Sequence, residues 1–460
     1  MRIDDDDNVR HAEDRARTDK LNSEFYGRFP FPWAPIAFSD VQDDTFWPRA
    51  LSYDVGDWSG SLLPPGSRIW VAGCGTNQAV MTALKFPTAQ VIGSELSKSS
   101  LELARTNAEH LNLANLELRN ESIGDVQYSS EFDYVVCTGV IHHNADPGYV
   151  LDRLARALKL DGLLELMVYN RYHRIQTTAV QKALQGLAGE DLALDHKTNV
   201  GLAKAVISGY WLPSSGPVRE VVGATLAVPG PRKPGASVVN EFDRGELTKN
   251  SVTALLEVCK GVEEVAIADA LFQPVEHSYT VESLARLCSR SGLEILGPCL
   301  NQFDSAEERL SWNIRFVDEE LQKRYESLPD LARWQITNLL AQEESPRLWF
   351  YVRPAQSSRA RQSEMEIVNE FRGLSLTANK AERVLFRRSA DGGYQRDDHH
   401  LPFPGTPRDP LAASVVKNLG AGRVLDDVLR ELGVEPTFHT VHQLRQMLCS
   451  ATCPYVRPSD

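Results

Sequence analysis

At 460 residues the chain is longer than one ordinary domain, and its 42% hydrophobic and 24% charged content is that of a globular protein. A formal net charge of −13 argues against a nonspecific binder of phosphate backbones, which needs a basic face. Seven cysteines in this length form no disulfide framework, and no apolar run approaches the roughly 18 residues that span a bilayer.

The opening MRIDDDDNVR is acidic and has no apolar stretch of the signal-peptide kind, so we expect a cytoplasmic protein with no membrane contact. Residues 1 to about 20 read as a disordered or loosely helical lead. An aromatic burst follows, Phe25-Tyr26-Gly27-Arg28-Phe29-Pro30-Phe31-Pro32-Trp33. Its prolines predict an extended, kinked path, either a strap over the core or a lid on a cleft with Tyr26 or Trp33 against a ligand. Pro64-Pro65-Gly66 is a turn that launches the first core strand.

Arg68 to Ser97, RIWVAGCGTNQAVMTALKFPTAQVIGSELS, carries the densest signal. An apolar strand enters the turn Gly73-Cys74-Gly75, a helix starts near Thr76 or Asn77, and a second strand, Val91 to Ser94, ends on Glu95. This is one nucleotide-binding half of a doubly wound sheet, and an acid in that place can accept from a ribose diol. Ser97 caps a helix through about His110. Further strands are predicted at Leu116–Arg119, Phe132–Cys137 and Leu163–Tyr169, with an amphipathic helix over Val150–Leu160 stopped at Asp161-Gly162. Regular alternation of strand and helix means a parallel α/β sheet, with ligands outside the carboxyl ends of its strands.

Residues 171 to about 270 read as a mostly helical insertion, interrupted by a Pro/Gly-rich loop, Ala227 to Ser237. A helix from Thr280 to Ser291 and a strand over Gly292–Leu296 resume the pattern. A second helical insertion covers about 305–344, and Leu348–Val352 is a strand that closes the sheet. The expected division is 1–63, lead and aromatic lid; 64–354, the core; and 362–460, a smaller accessory domain. That last unit holds a hairpin near VLFRRSADGGYQ and weakly follows a winged-helix outline.

Three ligands suit the glycine turn. A dinucleotide wants G-x-G-x-x-G, and here Ala79 stands one place too late for the third position. A nucleotide phosphate wants G-x-x-x-x-G-K-[ST], which is absent. S-adenosylmethionine, with no phosphate, needs a close turn and an acid.

VAGCGTNQA, the acid of VIGSELS, the loop CTGVIHHNADP and DRLARALKLDGLLELMVY together resemble class I S-adenosylmethionine-dependent methyltransferases. VAGCGTNQA, MVYNRYHR, QPVEHSYTVESLARLCSRSGLE and the FY-x-x-FPFP segment resemble a bacterial subgroup of them, over roughly Phe25 to Pro354. The resemblance implies a doubly wound, seven-stranded, Rossmann-like sheet with S-adenosyl-L-methionine as cofactor. It puts Gly73, Cys74 and Gly75 beneath the cofactor and Asn77 and Gln78 at its amino-acid end. Glu95 takes its ribose hydroxyls, Leu96 its adenine ring, and Glu121 and Ser122 the adenine amino group. Thr138, Gly139 and Val140 lie under the sulfonium.

A neutral imidazole at His142 or His143 could take a proton from a nucleophile as it is alkylated, although the pair also suits a loop-shaping role. His142 is the stronger candidate. Tyr169, Asn170 and Tyr172 lie where an acceptor should enter. His439, His442, Cys449 and Cys453 lack a standard metal spacing, so no metal is expected. The large insertion and aromatic lid suit a small organic acceptor of specialised metabolism. A peptide or protein acceptor, a non-methylating reaction and a regulatory role are the alternatives. Nucleic acid is disfavoured, and a homodimer is compatible with these features.

Overall fold

The apolar runs form strands buried on both faces. In β2 (Arg68–Ala72) Ile69 and Val71 pack into one apolar cluster and Trp70 and Ala72 into another, the period of two that a sheet imposes. The computed structural model describes residues 5–32, 35, 37–188, 201–203, 264–300, 311–390, 392–397, 399–420 and 422–459. The expectations for Trp33, for the loop 227–237 and for residues 305–310 lie outside the described residues.

β3 (Gln90–Ser94), β4 (Leu116–Arg119), β5 (Phe132–Thr138), β6 (Leu158–Val168), β7 (Leu293–Pro298) and β8 (Leu348–Pro354) complete a seven-stranded sheet in the order β4-β3-β2-β5-β6-β8-β7. The order reverses between β2 and β5, so their carboxyl ends open a crevice where ligands bind in such sheets. β8 does not take the edge. It lies between β6 and β7 and runs antiparallel to both, pairing Leu166 with Phe350 and Ile295 with Val352. The doubly wound, Rossmann-like architecture expected from the sequence is the one observed.

Of the two expectations for the lead the helical one is observed, as α1 (Asp5–Arg28), and α2 (Phe46–Val55) follows β1 (Ala37–Val41). The first proline of the aromatic segment is Pro30, so nothing upstream interrupts a helix, and Phe25 and Tyr26 form its last turn. α3 (Gln78–Lys85) and α4 (Lys98–His110) lie where predicted, and the Ser97 hydroxyl accepts from the Ser100 amide. α5 runs Pro147–Ala157 rather than from Val150. Asp146 caps it and Pro147 occupies its first turn, while Leu158 already pairs with Phe132 as β6. Of the first insertion, α6 (Arg171–Ala188) and α7 (Glu264–Leu271) are described. α8 (Val281–Arg290) has a Thr280–Ser283 capping box.

The C-terminal hundred residues are joined to the N-terminal lead. β10 (Ala381–Arg388) pairs antiparallel with β1, placing Phe38 opposite Phe386, forms the expected hairpin with β11 (Tyr394–Arg396), and also pairs with β12 (Leu401–Phe403). A second small sheet orders β13 (Arg423–Val424), β9 (Ser375–Ala378) and β14 (Val456–Pro458). Phe371, Leu376, Val428 and Leu444 belong to the same apolar cluster as Trp70 and Phe350. The Asp54 carboxylate of α2 accepts from the Leu300 and Ala451 amides, and Arg445 donates to the Asp54 carbonyl. Burial raises the Asp54 carboxyl to about 7, against those amides and Arg445.

Candidate functional site

The carboxyl ends of β2, β3, β5 and β6 surround one cavity of about 450 Å³. Its wall includes Gly73, Cys74, Gly75, Gln78, Glu95, Leu96, Glu121, Ser122, Thr138, Gly139, Val140, His143, Tyr26, Tyr169 and Asn170. Asn77, His142 and Tyr172 are not in it.

The glycine turn is shaped by close approaches. Gly73 and Gly75 have positive φ, 72° and 53°. A Cβ on Gly75 would lie 2.5 Å from the Phe31 carbonyl oxygen, and one on Gly73 would lie 2.7 Å from Val140. The aromatic segment therefore docks directly on the turn. The Thr76 amide donates to the Phe31 carbonyl at 3.3 Å, and the Thr76 hydroxyl donates to the Pro32 carbonyl. Only glycine at 75 permits that seat.

Glu95 is 8% exposed. Its Oε2 accepts from the Gly75 amide and its Oε1 from the Ser97 amide, both at 2.9 Å. Burial pushes this carboxyl up, and backbone amides at Ser97, Gly75 and Leu96 oppose the shift. A carboxylate offers about four acceptor positions. Two are taken and fix its orientation, and capacity for a diol remains on the cavity side. Gln78 donates to the Thr138 hydroxyl at 2.6 Å, joining the helix start to the tip of β5. Asn77 instead accepts from Asn107 in the core. Glu121 accepts from the Tyr128 hydroxyl, and the Ser122 hydroxyl donates to Asp19 of α1, both at 2.5 Å. Leu96, Asn120, Glu121 and Ser122 also line a second hollow against α1. A turn shaped by glycine, an oriented carboxylate with open lone pairs and an adjoining hollow with an apolar wall at Leu96 fit the adenosyl group expected from the sequence.

The histidines differ from one another. His142 is fully buried, and both ring nitrogens lack a hydrogen-bond partner. Its ring lies 3.9 Å from that of Tyr169, and burial holds it well below the usual histidine range. His143 reaches the cavity wall. Its Nδ1 is 3.0 Å from the Val275 carbonyl, which assigns the proton to that nitrogen, and burial lowers its pKa to about 4. Both imidazoles are neutral at neutral pH.

Asn170 is saturated. Its Nδ2 donates to the Ser345 hydroxyl and the Pro346 carbonyl, and its Oδ1 accepts from Asn338 and the Tyr172 amide. It ties the end of β6 to the segment before β8. His442 sits in a buried network with Asn313 and Glu364. Among the described residues no group of three or more His, Cys, Asp or Glu is arranged to hold a metal.

Several cavity residues carry no local sequence signal. Asn22 lies one helical turn before Tyr26 and faces the same way. Its Nδ2 donates to the His143 carbonyl at 2.8 Å, and its Oδ1 has no partner. Asp269 of α7 accepts from Gln273 at 2.7 Å, and Gln273 also donates to the Tyr26 hydroxyl at 2.8 Å. Protein encloses Asp269, and burial lifts its carboxyl to about 6. Arg174 forms a fork on Glu276, with its guanidinium 4.4 Å over the Tyr169 ring. The one pointer to this group in the sequence is QPVEHSY, which begins at Gln273 and contains Glu276. The cavity wall also includes Tyr134, Glu165 and Trp349 of the sheet, and Phe38 and Trp47. Glu165 accepts there from the Tyr134 hydroxyl and the Trp349 indole.

Residues 66–196 match a family model described as a methyltransferase domain. An uncharacterised protein of Synechococcus is 26% identical over 70% of this chain and 68% of its own length. A ubiquinone biosynthesis O-methyltransferase of Nitrobacter winogradskyi is 32% identical over 23% of this chain, which spans 40% of that relative. PKMT2 from Rickettsia typhi superposes with a TM-score of 0.51 at 13% identity, over 93% of this chain and 77% of that one, and it has also been solved in complex with AdoHcy.

Proposed function

We propose that this chain, whose residues 66–196 make up a class I S-adenosylmethionine-dependent methyltransferase domain, methylates a small organic acceptor held in the same cavity as the cofactor. The observation that carries the reading is the continuity of that cavity. One space of about 450 Å³ is lined both by the glycine turn and Glu95 and by Tyr26, Tyr169 and Asp269. Its size is that of small-molecule sites.

S-adenosylmethionine supplies a methyl group carried on a sulfonium. The residues of the chain hold and orient. Glu95 takes the ribose hydroxyls on its open lone pairs, Gly73 and Gly75 let the backbone come close, and Leu96 packs on the base. Thr138, Gly139 and Val140 form the floor between the two halves. α1 and the strap at Phe31-Pro32 exclude water from the reacting centre. Much of the acceleration in such a displacement comes from alignment, which this rigid enclosure provides.

The test is incubation of the purified protein with S-adenosylmethionine and panels of amines, phenols and carboxylic acids, read by mass spectrometry. A product heavier by one methyl group, formed with stoichiometric S-adenosylhomocysteine, supports the proposal. Binding of the cofactor with no methylated product from any panel, but with transfer to peptides, would overturn the small acceptor.

A further inference from the structure

We propose that the acceptor is a primary amine bound as its ammonium ion, with Asp269 as the carboxylate that binds it and removes its proton. This rests on the methyl-transfer reading above and concerns the acceptor half of that cavity.

Asp269, Tyr26 and Asn22 bring three oxygen acceptors to this half. Asp269 accepts from Gln273 and forms no ion pair among the described residues. The Tyr26 oxygen accepts from Gln273, and Tyr169 faces the same space. The Asn22 Oδ1, on a side chain 4% exposed, is buried without a partner on the helix face that carries Tyr26. An ammonium carries three donors and no acceptor, so a carboxylate, a phenol oxygen and an amide oxygen complement it. A carboxylate ligand would meet Asp269 as a like charge. Arg174 does not pair with Asp269: both arms of its fork are committed to Glu276, and its Nη2 also donates to the Ala270 carbonyl.

The electrostatics agree with the geometry. Burial and Glu276 raise the Asp269 carboxyl to about 6, while Arg174 and the Gln273 bond oppose the rise. His143, His173 and Arg347 complete the wall on this side. Asp269 is thus ionised at neutral pH and more basic than a solvated aspartate. Desolvation in the same enclosure favours the neutral amine, while pairing with Asp269 favours the ammonium. In the reaction one N–H proton passes to the Asp269 carboxylate. The freed nitrogen lone pair forms the bond to the methyl carbon as the carbon–sulfur bond breaks, its electron pair staying on sulfur. Asp269 then releases the proton to solvent.

The test is calorimetric titration of the full chain, with S-adenosylhomocysteine bound, by hexylammonium, 1-hexanol and hexanoate at pH 7.5. We expect hexylammonium to bind at least tenfold more tightly than the other two, and Asp269→Asn to abolish that preference while leaving hexanol affinity within twofold. Equal binding of hexylammonium and hexanol by the wild-type chain overturns the inference, and so does an undiminished preference in Asp269→Asn. The wild-type comparison decides alone if the variant fails to fold. Failure of S-adenosylhomocysteine to bind at all sinks the methyl-transfer reading itself, whereas binding without an ammonium preference sinks only this inference.

Discussion

The two halves of the cavity are built on different principles. The donor half comes from one βαβ unit, Arg68 to Ser97, with the tip of β5, and its contacts are made by backbone: a glycine turn with positive φ and a carboxylate oriented by two amides. The acceptor half is assembled from α1, the end of β6, α6 and α7. Its contacts are made by side chains more than 200 residues apart, as in the bond from Gln273 to Tyr26. A backbone-built half fixes what the site must always bind. A side-chain-built half can be altered one residue at a time without disturbing the turn beside it.

That contrast gives a ranked set of expectations. The largest effect falls on the acceptor side. Asp269→Asn should lower kcat/KM for an amine by roughly 10²–10⁴-fold, the range for loss of a general base, with cofactor affinity unchanged. Its pH profile gives the sign. A base must be unprotonated, so the wild-type rate should climb as pH rises through about 6, and the variant should lose that limb. His143, lowered to about 4, is already neutral below that limb, and burial holds His142 well below the usual histidine range. A limb near pH 4 that survived in Asp269→Asn would return the role to a histidine.

Next comes Glu95→Ala, which removes a charged acceptor and leaves the Gly75 and Ser97 amides without it. Cofactor affinity should fall by about 1.5–3 kcal/mol, roughly 10–100-fold, while hexylammonium still binds. If instead it abolished ammonium binding, the two halves would be one coupled unit and the contrast would fail. Asn170→Ala follows. Although it lines the acceptor half, its amide is spent on Ser345, Pro346 and Asn338. It should cost about 1–3 kcal/mol of stability, seen in the unfolding midpoint, with acceptor selectivity intact. Smallest is Tyr26→Phe, which removes one phenol from the acceptor group. A loss of about 0.5–1.5 kcal/mol in amine affinity is expected, read by the same titration.

The donor half was legible because its chemistry is local. Gly73, Gly75 and Glu95 stand at fixed offsets inside one strand–turn–helix–strand, and Ser97 announces the next helix. The strands were legible for the same reason, through short apolar runs of even alternation. What sequence reading placed differently depends on context outside the local window. Pro30 suggested an extended aromatic segment, yet Phe25 and Tyr26 precede it and stay helical. Leu158 looked like the end of a helix until Phe132 claimed it for the sheet. β8 looked like an edge strand because its position between β6 and β7 is set only by long-range pairing. Asp269 and Asn22 were invisible for a stronger reason. Asn22 is one polar residue among many in α1, and Asp269, bonded to Gln273 four residues on, meets Tyr26 only through the tertiary fold.

The account stands most directly on Glu95. Calorimetric titration of the full chain with S-adenosylmethionine, in the wild type and in Glu95→Ala, measures whether the Arg68 to Ser97 unit is the cofactor seat. The account predicts saturable one-to-one binding by the wild type and an affinity roughly 10–100-fold weaker in the variant. Absence of binding by the folded wild-type chain, or equal affinity in the two, would contradict it.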